Sequence, residues 1–69
     1  MAWRTCVFPN LAAEMARNNH TQGDIAAMLG YSQSAVSVRM AGKIEWSMKE
    51  INTLCNQYGK DYEYLFERG

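Results

Sequence analysis

The chain is poor in several things at once. Its 69 residues include one proline, one histidine and two cysteines, and carry no formal net charge. No apolar run approaches the roughly 20 residues of a membrane span, and no membrane partner is expected. The opening Met1-Ala2-Trp3-Arg4-Thr5-Cys6 lacks the apolar stretch of a signal peptide, so the expected location is cytoplasmic. Cys6 and Cys55 lie far apart without a C-x-x-C pair, which leaves neither a zinc motif nor a redox motif to read. Both are read as thiols in a reducing compartment, Cys55 as a structural thiol on an apolar helical face. His20 has no second ligand nearby and is assigned no chemistry. No Ser-His-Asp, Cys-His or paired-carboxylate arrangement is assembled, nor a glycine loop that would cradle phosphate. The expectation is therefore no enzyme, no cofactor, no metal and no small-molecule substrate.

What is present is apolar and helical. With 48% apolar and 20% charged residues, the composition is that of a folded domain and not of a disordered tail. One domain is expected over 1–69. A chain of this size buries only about 60% of the surface its unfolded form exposes, so its stability margin is narrow. The absent net charge argues against gripping a polyanion by bulk electrostatics, but the charges are unevenly placed. Residues 1–44 carry Arg4, Arg17, Arg39 and Lys43 against Glu14 and Asp24, whereas Glu45, Glu50, Asp61, Glu63 and Glu67 outweigh Lys49, Lys60 and Arg68 in the remainder.

The most informative stretch runs from Thr21 to Ser37. Thr21 and Asp24 have capping-box spacing and open a helix in which Ile25, Ala26 and Leu29 share a face, and Gly30 supplies the left-handed residue that ends it. Ser32 caps a second helix after only a tight turn. Val36 and Met40 form that helix's inward face, while Gln33, Ser34, Ser37 and Val38 lie elsewhere. An outer face so short, polar and nearly uncharged suits a helix entering a DNA major groove, where Gln pairs with adenine, Ser meets base edges and a small apolar group meets a thymine methyl. The pattern is that of a helix-turn-helix over about 21–41, with the second helix as reader.

Around it, Pro9 and Asn10 start a first helix, with Asn10 as its cap and Leu11 and Met15 pointing inward, running to Asn18 or Asn19. Residues 1–8 read either as an extended arm or as a segment packed by its aromatics. After Gly42, Ile44 and Trp46 look too apolar for water, and Trp46 is expected to be partly buried. Ser47 and Glu50 repeat the capping box and open a helix with Met48, Ile51, Leu54, Cys55 and Tyr58 on its apolar face. Asp61 caps a last short helix whose Tyr62, Leu65 and Phe66 close the core. The expected core comprises Ile25, Leu29, Val36, Met40, Ile51, Leu54 and Phe66. The expected fold is all-α, a compact five-helix domain.

The segment Thr21 to Lys43 resembles the Cro- and phage-repressor-type (XRE-like) helix-turn-helix family, matching at Thr21-Gln22, Ile25-Ala26, Leu29-Gly30, Ser32, Val36-Ser37 and Gly42-Lys43. The resemblance extends from Phe8-Pro9-Asn10-Leu11 through Asp61 to Phe66, and departs where Met40 and Ala41 replace the family's usual charged residue. It implies a repressor-like fold and sequence-specific binding of double-stranded DNA by a phage or prophage transcriptional regulator. It places Gln22 beside a phosphate at a helix N-terminus, and Gln33, Ser34, Ser37 and Val38 on base edges. Arg39 and Lys43 are read as further phosphate contacts. The bland readings stand beside these: Gln22 as an exposed first-turn residue, the polar face as solvated surface, and Arg39 as a stem lying over the core edge. Arg17 is read as complementing the dipole of the first helix. One such domain binds weakly, so a homodimer is expected, with the C-terminal aromatics Tyr62, Tyr64 and Phe66 or the Trp3 arm as its surface. The alternative function is a protein-interaction module, antirepressor-like or antitoxin-like, that keeps the fold.

Overall fold

Four of the five helices begin at a polar residue whose side chain accepts a backbone N–H of its own first turn. The computed structural model describes residues 6–69. It comprises α1 (Pro9–Arg17), α2 (Gln22–Leu29), α3 (Gln33–Met40), α4 (Met48–Tyr58) and α5 (Tyr62–Leu65), with no strand among the described residues. Thr21, Ser32, Ser47 and Asp61 cap α2 to α5, and both Thr21–Asp24 and Ser47–Glu50 form the reciprocal capping box. Helix α1 differs from the expectation. Its N-cap is Phe8, without a side-chain cap, because Pro9 occupies the first turn, where a missing N–H costs nothing. Asn10 instead donates to the carbonyl of Tyr64, 2.9 Å away, tying α1 to α5. The helix ends at Arg17, and Asn19 follows with positive φ.

The interior is a single apolar cluster in which Leu11, Ile25, Val36, Met40, Leu54 and Leu65 are fully buried, so every helix contributes to it. Trp46, at 8% exposure, is more deeply covered than expected and packs its ring edge-on to Phe66. Four expected apolar positions turn out differently. Leu29 is only half-buried, since Gly30 ends α2 just after it and the chain turns outward. Ile44, Met48 and Tyr62 are exposed. Met48 is the first residue of α4, before that helix has reached the core, and Tyr62 lies over Phe66 with its outer face in solvent. None of the described helices is long and apolar enough to cross a membrane.

Of the amino-terminal segment, residues 1–5, including Trp3, lie outside the described part. The remainder packs onto the domain. The Val7 N–H donates to the carbonyl of Met40 at the end of α3, the Gly69 N–H donates back to Val7, and Phe8 is buried edge-on to Phe66.

Candidate functional site

Helices α2 and α3 are each eight residues long and are separated by Gly30, Tyr31 and Ser32. Gly30 takes the left-handed conformation at φ 73° that ends α2, and Ser32 restarts the chain by accepting the Ala35 N–H. Because only Val36 and Met40 of α3 are buried, the rest of that short helix faces outward or lies on the domain edge.

Gln33 and Ser34 are exposed, and Ser37 and Val38 are half-buried. At i, i+1, i+4 and i+5 they form one stripe along α3. The stripe begins against α2. A side chain built at Gly23 would come within 3.9 Å of the Gln33 carboxamide oxygen. Gln33 therefore lies over the first turn of α2, beside half-buried Gln22. The backbone N–H groups of that turn are partly spoken for. Thr21 Oγ1 accepts from Asp24, whose carboxylate in turn accepts from Thr21 N at 2.7 Å, and the Thr21 N–H and hydroxyl hold that carboxyl below its usual range. A fixed negative charge thus stands at the α2 end of the stripe.

At the other end the two cations separate. Lys43 is exposed after the helix-ending Gly42, and its N–H donates to the carbonyl of Val38, 3.0 Å away. Arg39 turns inward, toward α4. Its Nε donates to Glu50 Oε1 at 3.2 Å, its Nη1 donates to the Ala35 carbonyl at 2.8 Å, and its guanidinium sits 5.0 Å over the ring of Tyr31. The reason is the buried Glu50 carboxylate, only 4% exposed, which requires a counter-charge. Tyr31 donates its hydroxyl to the same carboxylate. Burial alone would raise the Glu50 pKa, but the Tyr31 hydroxyl, the Ser47 N–H and Arg39 together outweigh it and hold the carboxyl below its usual range.

No protein-family model, curated protein or solved structure matches this chain. What it does rests on its own residues.

Three long-range partnerships follow no sequence spacing: Tyr31 and Arg39 with Glu50, Tyr64 with Glu14, and His20 with Tyr58. Tyr31 and Arg39 meet Glu50, which the spacing to Ser47 marks only as a capping residue. On the opposite side Glu14, 5% exposed, accepts from the Tyr64 hydroxyl at 3.1 Å and pairs with Arg17, so Arg17 serves a buried carboxylate as well as the end of α1. His20 is half-buried, with Nδ1 2.8 Å from the Tyr58 hydroxyl, and is part of the packing and not a bystander. Glu14, between Ala13 and Met15, carries a hint of such a partner, since a lone buried charge is not tolerated, whereas Glu50 follows Lys49 and carries none.

Proposed function

We propose that this chain is a sequence-specific, double-stranded DNA-binding domain of helix-turn-helix type, a transcriptional repressor similar to those of phage and prophage, with α3 entering the major groove. The observation that carries this is the stripe Gln33, Ser34, Ser37 and Val38 on a short outward helix, begun by a glutamine seated against the first turn of α2. Base edges are read by the stripe. Gln22 meets a phosphate at the α2 N-terminus, where unpaired N–H groups carry about half a positive charge, and Lys43 meets one at the far end. Arg39 serves the reader from behind.

With no formal net charge, one domain binds weakly, and two copies on a near-palindromic site supply the affinity. Reading helices of such a dimer lie about 34–36 Å apart. Of the C-terminal aromatics considered for the contact, Tyr62 is exposed, Tyr64 is half-buried and Phe66 is buried, so Tyr62 is the one of these three most open to a second copy, while the Trp3 arm lies outside the described residues.

Titration against mixed genomic DNA fragments at two salt concentrations tests the reading. Saturable binding that weakens with salt is expected, and its absence at high protein concentration would sink the proposal. The second reading, a protein-interaction module of antirepressor or antitoxin type in the cytoplasm, draws on the zero net charge and on exposed Ile44, Met48 and Tyr62. Such a module binds a partner protein and shows no DNA saturation.

A further inference from the structure

Helix α3 has an unusual support. Its buried side chains, Val36 and Met40, are the fourth and the last of its eight residues, and none of the first three is buried. Gln33, which opens the helix, is exposed, and its nearest buried anchor is Val36, three residues on. The other supports of the helix are polar. One carboxylate, Glu50 in the first turn of α4, accepts from Tyr31 two residues before α3 begins and from Arg39 Nε in its last turn, while also accepting the Ser47 N–H at 2.8 Å. Arg39 reaches back to the Ala35 carbonyl in the middle of α3 and covers the Tyr31 ring. Both ends of the helix are thus tied to a single buried point on α4.

We infer that Glu50, together with Tyr31 and Arg39, is the positioning device that sets the tilt of the reading helix and thereby its base preference, without touching DNA. This rests on the DNA-binding reading above. The geometry gives the scale. Along the helix axis Gln33 lies roughly 4.5 Å from Val36 and roughly 10.5 Å from Met40 at about 1.5 Å per residue, so a tilt of about 10° moves Gln33 by about 1 Å about the first anchor and about 2 Å about the second. A two-point amide–base contact does not survive that, because hydrogen bonds keep their strength only within a few tenths of an ångström. Phosphate contacts made by Lys43 and by backbone N–H groups tolerate it far better. The network consequently governs discrimination more than affinity.

The test uses the full chain, wild type, Tyr31→Phe and Glu50→Gln. A site is first selected from random DNA with the wild type, and affinity is then measured for that site, for each single-base variant and for unrelated DNA. Tyr31→Phe removes one hydroxyl from a partly exposed ring, so it remains informative even where Glu50→Gln fails to fold. Expected is a loss of discrimination of at least about fivefold at the positions opposite the start of α3, with affinity for unrelated DNA unchanged within about twofold. Equal weakening on all sequences, or unchanged discrimination, overturns the inference. Residual dipolar couplings of the free proteins provide the second measurement. A turned α3 in Tyr31→Phe, with α1 and α4 keeping their mutual orientation, is expected, and an unmoved α3 overturns the inference. A wild type that selects no site removes the DNA reading alone, and the couplings still decide whether the network sets the helix.

Discussion

Gly30 and Gly42 bracket α3, and replacing each by alanine separates two costs that are often confounded. Both residues hold positive φ, 73° and 80°, so either alanine pays for a left-handed backbone, about 1–2 kcal/mol. Their surroundings differ. A Cβ at Gly30 meets nothing within 4 Å, whereas one at Gly42 lies 3.1 Å from Arg68 Nη1 and 3.2 Å from Val7 Cγ2. The arginine head can swing away, but Val7 is pinned by its N–H to Met40 and by the Gly69 N–H, so the segment must shift. Overpacking of that kind adds about 1 kcal/mol or more. Gly30→Ala should thus cost about 1–2 kcal/mol and Gly42→Ala about 2–3. Gly30→Asn should cost less than Gly30→Ala, since asparagine visits the left-handed region more readily. A domain of 69 residues has roughly 3–10 kcal/mol in total, so each difference is readable from urea midpoints at a common slope. The reasoning fails if Gly42→Ala is no more destabilising than Gly30→Ala, or if asparagine at position 30 is worse than alanine.

Other outcomes follow from the interior. Leu54→Ala, at a fully buried position on α4, should cost about 2–5 kcal/mol and leave a large unfolded fraction at 37 °C, visible by circular dichroism and calorimetry. Tyr58, buried and near the Asp24 and Glu14 carboxylates, has its pKa pushed up to about 12. Between about pH 10 and 12 the folded state retains a proton that the unfolded state has lost. Stability contributed by Tyr58 is therefore intact below pH 10 and falls as pH rises toward 12. Ultraviolet titration should show Tyr58 ionising well after an ordinary phenol, with Tyr31 also delayed by its hydrogen bond to Glu50, and a titration complete by pH 11 in the folded protein would contradict this. Burial also pushes up the thiols of Cys6 and Cys55, the latter aided by Asp61, so both should react with Ellman's reagent at pH 7 more slowly than a free cysteine.

How much of this was visible in the chain depends on the range of the interaction. The caps at Thr21, Ser32, Ser47 and Asp61 and the stops at Gly30 and Gly59 are local chemistry, and they give the helices their bounds to within a residue or two. The inward positions Ile25, Val36, Met40 and Leu54 follow from helical period alone. Failures occur where a helix end meets a tertiary contact. Asn10 is drawn to Tyr64 and gives up the cap, and Met48 begins its helix too early to reach the core. Of the expected site residues, the α3 stripe lies together on one face and Lys43 is exposed beyond it. The pairing of Arg39 with Glu50 was not legible because the two are eleven residues apart on different helices, and no spacing rule connects them.

The central proposal is that the outward stripe of α3 specifies bases. The most direct measurement is the base-preference profile of the wild type against Gln33→Ala, obtained by selection from a random DNA pool at fixed salt. Loss of preference at one or two adjacent positions, with discrimination there reduced by about 1–3 kcal/mol and the rest of the profile intact, is the result the proposal requires. A profile unchanged by Gln33→Ala, or affinity lowered equally for every sequence, would contradict it.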